Sequence, residues 1–327
     1  MSDPIGTLFG FVMTQVAYVA VRLGVPDLLA DSAMTSDALA GATGAHPPSL
    51  HRLLRAMATL GYVTETEPGR FALAPGGELL RDGVPGSLRQ ALLLFAGEET
   101  WRSWGELEYS IRTGRPAFDR LYGMPCFDYL ARHPGKAEVF HRAMAKHTRD
   151  NAPAIVAGYD WSGLGTLVDV GGGDGTLLAA ILAATPTLRG VLYDQPAALT
   201  AAPAVLDGAG VADRCEIVAG DFFTSVPVGG GAYLIKSVIH DWDDERAVRV
   251  LRTVADAGGT VLVVEPVLPP GVAGPEPLLL AISDLNMLAQ VGGRERTEAE
   301  FGALFAAAGL TLRACHPAGH FQILEAG

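Results

Sequence analysis

Leu167-Val168-Asp169-Val170 runs directly into Gly171-Gly172-Gly173-Asp174-Gly175, and residues 177–184 follow with an apolar helical pattern that stops before Pro186. A short apolar run bounded by glycine reads as a buried strand. Strand, glycine turn and helix are the first half of a nucleotide-binding βαβ unit. Parallel strands need long crossovers, so this unit commits the chain to an α/β layer architecture. Further strands are expected at residues 190–194, 215–218, 232–237 and 260–264.

The loop has the form GxGxG, and position 176 is Thr where a dinucleotide fingerprint calls for Gly or Ala. Asp194 ends the second strand about twenty residues past the glycines, a place from which a carboxylate binds a ribose diol. Gly220-Asp221-Phe222-Phe223 closes the third strand, and an acid beside an aromatic ring there suits an adenine. An adenosine ligand without a pyrophosphate, such as S-adenosylmethionine, fits better than NAD, which stays open at this point.

The fourth strand delivers Val238-Ile239-His240-Asp241-Trp242-Asp243-Asp244. Ligands of open α/β sheets sit beyond the carboxyl ends of the strands, so His240 stands where a proton acceptor is useful. Glu265 ends the next strand at the same edge, and Glu295 lies in the loop Gly292-Gly293-Arg294-Glu295-Arg296-Thr297. Two carboxylates near one imidazole hold its tautomer and stabilise the imidazolium. Adjacent acids such as Asp243 and Asp244 favour a helix N-terminus, and no metal site is expected.

Two domains are expected, at residues 1–97 and 98–327. The first reads as three helices and a hairpin, a winged helix, with its turn at Glu67-Pro68-Gly69. Residues 1–100 hold six basic and ten acidic residues, in a chain of net charge −12. Phosphate contacts dominate DNA affinity, so dimerisation is the expected role and no nucleic-acid partner is expected. Residues 4–21 are apolar but broken by Gly6, Thr7, Gly10, Thr14 and Gln15, which suits a buried or dimer-forming helix better than a membrane span. Cys126, Cys215 and Cys315 are scattered, which excludes a disulfide scaffold and suggests a reducing, cytoplasmic setting. Residues 98–151 read as a helical linker rich in aromatics, from which Phe140 and Met144 are expected to line a pocket. Of only three lysines, Lys136 and Lys146 fall in that linker as solvated groups, and Lys236 on the strand leading to His240.

In this order, the glycine loop, Gly220-Asp221-Phe222-Phe223, His240-Asp241-Trp242-Asp243-Asp244-Glu245 and Gly292-Gly293-Arg294-Glu295-Arg296-Thr297 resemble the S-adenosylmethionine-dependent O-methyltransferases of the caffeate type. The likeness is closer to their bacterial relatives in polyketide and antibiotic tailoring, and spans essentially the whole chain. It implies a Rossmann-like, doubly wound seven-stranded sheet with an N-terminal winged-helix dimerisation domain and a homodimer. Residues 310–315 and 320–325 would form a terminal antiparallel hairpin around Pro317-Ala318-Gly319. It implies that Gly171, Asp194, Asp221, Phe222 and Lys236 hold the cofactor. His240 would be the general base, flanked by Glu265 and Glu295. Phe140 aside, the acceptor pocket would draw on Met144, Trp242, Asn286 and Met287 for a small aromatic acceptor. The alternative on the same fold is a tailoring enzyme that uses the cofactor for hydroxylation or decarboxylation. A phenol of pKa about 10 and an ordinary imidazole of about 6.5 leave proton transfer uphill by roughly 5 kcal/mol.

Overall fold

In the computed structural model, which describes residues 4–269, 271 and 276–327, the chain divides into two compact units. One ends at Trp101 and the other begins at Arg102.

The first unit opens with α1 (Pro4–Arg22), which Gly24 ends in the left-handed region at φ 71. The two-residue strand β1 (Met34–Thr35) leads to α2 (Ser36–Thr43), whose first turn is capped by the Thr35 hydroxyl accepting the Ala38 N–H. Next come α3 (Pro47–Thr59), β2 (Val63–Glu67) and β3 (Arg70–Leu73), the strands pairing in the order β1-β3-β2. Leu50, Leu54 and Met57 recur at helical spacing on α3 and pack with Leu39 and Phe71. This is the expected winged helix with a third strand, β1, too short to leave a periodic signal.

In the second unit, α4 (Pro134–Ala157) precedes β4 (Thr166–Val170), α5 (Thr176–Ala184), β5 (Arg189–Asp194), β6 (Cys215–Ala219) and β7 (Ala232–Lys236). Then follow α6 (Asp244–Asp256), β8 (Thr260–Glu265), β9 (Val267–Leu268), α7 (Glu276–Gln290), β10 (Arg296–Thr297), α8 (Glu298–Ala307), β11 (Leu312–Ala318) and β12 (Phe321–Ala326). The main sheet has seven strands in the order β11-β12-β8-β7-β4-β5-β6. β6 to β8 are parallel, and β12 joins β8 antiparallel.

Side chains alternate across the sheet. Leu167, Leu234 and Leu262 enter the core under α5. Val168, Tyr233, Ile235, Val261 and Val263 enter the core under α6 and α8. Strands covered on both faces read as near-continuous apolar runs, which is why they were legible in the sequence. The order reverses between β4 and β7, so the crevice beyond their carboxyl ends is the binding place of such a sheet.

The structure corrects three details. The terminal hairpin turns at Gly319 and His320, and Pro317 lies inside β11, where an edge strand tolerates a missing donor. β7 stops at Lys236, because Ser237 has φ 52, the one non-glycine in the left-handed region among the described residues. Lys146 is not a freely solvated cation, since its Nζ bonds Asp150 at 2.7 Å.

At the opposite end of the sheet from that crevice, a Cβ on Gly231 would lie 1.9 Å from the Leu164 carbonyl oxygen. Gly231→Ala is therefore expected to cost about 2–3 kcal/mol of stability, read as a lower urea midpoint. Turnover per folded molecule should stay unchanged.

Candidate active site

The glycine loop leaves β4 with Gly171 at φ 73, its N–H bonded to the Tyr193 carbonyl at 2.8 Å. A Cβ on Gly171 would stand 2.8 Å from Val238 Cγ2 and 3.6 Å from the Phe222 ring. The loop therefore lies against the segment that follows β7 and against the aromatic that follows β6. Asp194 ends β5 with its carboxylate turned to this loop, Oδ2 accepting the Gly173 N–H at 2.8 Å and Oδ1 the Gln195 N–H at 2.6 Å. Behind the loop Asp169 is 2% exposed, and its Oδ2 has no hydrogen-bond partner. Burial and the charge of Asp194 push the Asp169 carboxyl up to about 7. Lys236 points its ammonium at Ser237 Oγ at 3.1 Å and over the Phe321 ring. Burial lowers its pKa, against the pull of Glu265, Asp169 and Asp241.

The left-handed Ser237 turns the chain into a single 3-10 turn, Ile239–Asp241. The N–H groups of Val238, Ile239 and His240 all donate to Glu265 Oε1, at 3.0, 2.9 and 3.3 Å. The other carboxylate oxygen of Glu265 lies 3.4 Å from His240 Nδ1. Glu295 Oε1 lies 3.1 Å from the same nitrogen and also accepts the Ser283 hydroxyl at 2.6 Å. Both glutamates are buried, at 0% and 1% exposure. With Nδ1–H directed at carboxylates, Nε2 is the free face of the ring, 3.7 Å from Asp241 Oδ1.

The loop that carries Glu295 is held as closely. A Cβ on Gly293 would fall 2.0 Å from the His240 carbonyl oxygen, so only glycine crosses there. Arg294 N–H donates to that same oxygen at 2.9 Å, and Glu295 N–H to Asp284 Oδ1 at 2.9 Å. Thr297 and Glu300 form a capping box that starts α8 at once.

Burial alone would lower the His240 pKa. The Glu265 charge, the bond to Glu295 and the nearby Asp241 overcome it and push the imidazole up to about 10. Burial likewise pushes Asp241 up to about 7, and raises Glu265 against the opposing pull of His240. His240, Glu265 and Glu295 offer three donors within 4.8 Å of one another, a set that a divalent ion would accept. The 3.1 Å Nδ1 to carboxylate distance is that of a hydrogen bond.

An aromatic run borders His240. The Trp242 ring meets Phe223 at 4.8 Å and Phe127 at 5.5 Å, and Phe127 meets Phe140 at 6.1 Å. Trp104 Nε1 donates to Asn286 Oδ1 at 3.0 Å, which leaves the Asn286 amide N–H groups as donors. Met144 and Met287 are half-buried on α4 and α7. Asp221 is exposed, its Oδ1 accepting the Phe223 N–H, and Phe222 is the residue of that pair which reaches the glycine loop. Sequence reasoning assigned nothing to Ser283, Asp284 or Arg296, or to Phe127 and Trp104 individually. The hydroxyl, acid and guanidinium carry no spacing signal, since the partners that place them in the site lie 11 to 57 positions away.

Known proteins match this chain over most of its length. Residues 104–311 match the O-methyltransferase domain and residues 5–82 the O-methyltransferase dimerisation domain. Phenazine O-methyltransferase PhzM of Lysobacter antibioticus is 44% identical, over 97% of this chain and 93% of that protein. O-demethylpuromycin-O-methyltransferase of Streptomyces alboniger is 41% identical, over 98% and 87%. Among solved structures, an O-methyltransferase from neocarzinostatin biosynthesis, in complex with S-adenosylmethionine and 2-hydroxy-5-methyl naphthoic acid, superposes with a TM-score of 0.85. It is 38% identical, over 96% of this chain and 95% of that one. The chain belongs to the S-adenosylmethionine-dependent O-methyltransferases. Its N-terminal unit is the family's dimerisation domain, and among the described residues no helix is long and apolar enough to cross a membrane.

At Gly171 an added methyl would press on Val238 and Phe222. Gly171→Ala is expected to weaken S-adenosylmethionine binding at least about tenfold by calorimetry, because the Cβ displaces Val238 or Phe222 from the loop.

Proposed function

We infer that this enzyme methylates a phenolic hydroxyl of a small aromatic natural product, with His240 as the general base. The observation that carries the reading is the His240 imidazole itself. Its Nδ1 faces Glu295 at 3.1 Å and Glu265 at 3.4 Å, and its Nε2 is left for the acceptor. S-adenosylmethionine, when bound, supplies an electrophilic methyl on a sulfonium. Gly171, Asp194, Asp221, Phe222 and Lys236 are the residues assigned to hold it. Trp242, Phe140, Met144, Asn286 and Met287 are assigned to the acceptor, with the aromatic rings supplying flat apolar walls. The names of relatives that act on phenazines, puromycin precursors and naphthoates favour the same acceptor class.

The proton has a defined route. As the acceptor oxygen gains its methyl, its proton passes to His240 Nε2, while Nδ1–H keeps its hydrogen bond to Glu295 with the Glu265 carboxylate beside it. An ordinary imidazole would face a gap of roughly 5 kcal/mol. An imidazole raised to about 10 matches the phenol, and the transfer becomes nearly thermoneutral. The glutamates also stabilise the imidazolium that results. The enzyme is further inferred to be a homodimer through its N-terminal unit. There α1 presents Leu8, Phe9 and Phe11 at 66%, 48% and 57% exposure, an apolar face of the kind that marks an interface.

His240→Ala should lose about 10²–10⁴-fold in kcat and keep S-adenosylmethionine affinity; a variant that still turns over removes the base assignment. Only neutral His240 accepts the proton, so kcat/KM should climb with pH from neutrality toward about 10. Glu265→Gln should bring that limb down by about one unit or more. Phe11→Glu combined with Leu8→Glu should convert dimers to monomers in light scattering; an unchanged mass counts against this interface.

A further inference from the structure

We propose that Arg296 is a positioning residue for His240: its guanidinium pins the backbone carbonyls that bracket the base and so sets where Nε2 stands. The inference rests on His240 being the base.

Among the described residues Arg296 heads the largest fully buried side chains, at 0% exposure. A guanidinium is seldom taken out of water without full pairing. Here its one acidic partner, Asp244, is reached by Nε and a terminal nitrogen at 3.1 and 2.7 Å, and that carboxylate is 59% exposed. The remaining donors go inward to main-chain oxygens. Nη1 reaches Ile239 O at 3.1 Å and Arg294 O at 3.4 Å, and Nη2 reaches Trp242 O at 2.8 Å.

Residues 239–241 make a single 3-10 turn. Ile239 O takes the Trp242 N–H at 3.3 Å, the bond that closes the turn, and its second lone pair is left for the guanidinium. Glu265 holds the N–H side of the turn, and Arg294 N–H holds the His240 carbonyl. Arg296 supplies what is left, through a rigid fork that spans acceptors on both sides of residue 240. A lysine ammonium is a point donor on a flexible stem and cannot bridge them at once. Arg296 also follows Glu295 directly, so one short segment brings both the carboxylate on Nδ1 and the clamp on the turn.

Arg296→Lys is expected to lower kcat about 10²-fold, the cost of a small misplacement of a reacting group, with S-adenosylmethionine affinity within about twofold of wild type by calorimetry. The pH limb of kcat/KM should fall from near 10 toward the ordinary imidazole value as the ring leaves its two carboxylates. A loss of folding stability alone would not move that limb. In a His240→Ala background, Arg296→Lys should cost less than about threefold further, because residues acting as a unit are not additive. Asp244→Ala leaves the inner bonds but frees the outer end of the fork, and should lower kcat about fivefold with a smaller shift of the limb. That variant carries the test if Arg296→Lys does not fold. An unmoved limb in either folded variant overturns the proposal, as does an Arg296→Lys cost that stays undiminished in His240→Ala. Turnover surviving in His240→Ala alone would instead remove the base, and this role with it.

Discussion

The carboxylate of Glu265 is the interaction on which the rest of the site depends. It ends β8 with no exposure to solvent, and one oxygen gathers three successive backbone N–H groups while the other faces the imidazole of His240. A buried carboxylate without such partners would be strongly destabilising. Bonded in this way, it fixes the backbone that follows β7 and biases the proton affinity of the side chain that this backbone carries. Position and basicity of the imidazole thus both draw on the same carboxylate.

The second half of the constraint arrives from far along the chain. The loop 292–296 crosses the His240 carbonyl so closely that position 293 admits only glycine. It then delivers Glu295 to Nδ1 and Arg296 to the neighbouring carbonyls. The helix α7 supports the loop through Ser283 and Asp284 and also carries Asn286, one of the residues assigned to the acceptor. The His240 imidazole and Asn286 thus rest on shared supports, which on the proposed reading hold a reacting oxygen and Nε2 in register.

Much of this was legible in advance, for identifiable reasons. Parallel strands covered on both faces leave unbroken apolar runs, so β4, β5, β7 and β8 stood out, and with them the edge where Asp194, His240 and Glu265 emerge. The glycines of the loop announced a tight turn and a close approach, and Gly171 makes that approach to Val238 and Phe222. Less was legible where the signal is short or non-local. β1 is two residues long. Pro317 read as a turn because proline usually breaks a strand, yet on an edge strand its missing N–H has no ladder bond to lose. Nothing local marks Ser237 for a left-handed conformation; its neighbours impose it.

The sequence by itself determined the parallel strands that a glycine loop and alternating α/β pattern allow, the chemical identity of a His and a Glu at one edge, and an acidic N-terminal unit unsuited to DNA. These follow from periodicity, charge and residue chemistry, which are properties of neighbours along the chain. Only the tertiary structure decided which nitrogen of His240 faces the two glutamates, that burial raises Asp169 and Asp241 to about 7 while the glutamates help carry His240 to about 10, and that Arg296 bonds the carbonyls on either side of His240. Those outcomes depend on distances between groups up to 57 positions apart and on the water that folding removes from between them.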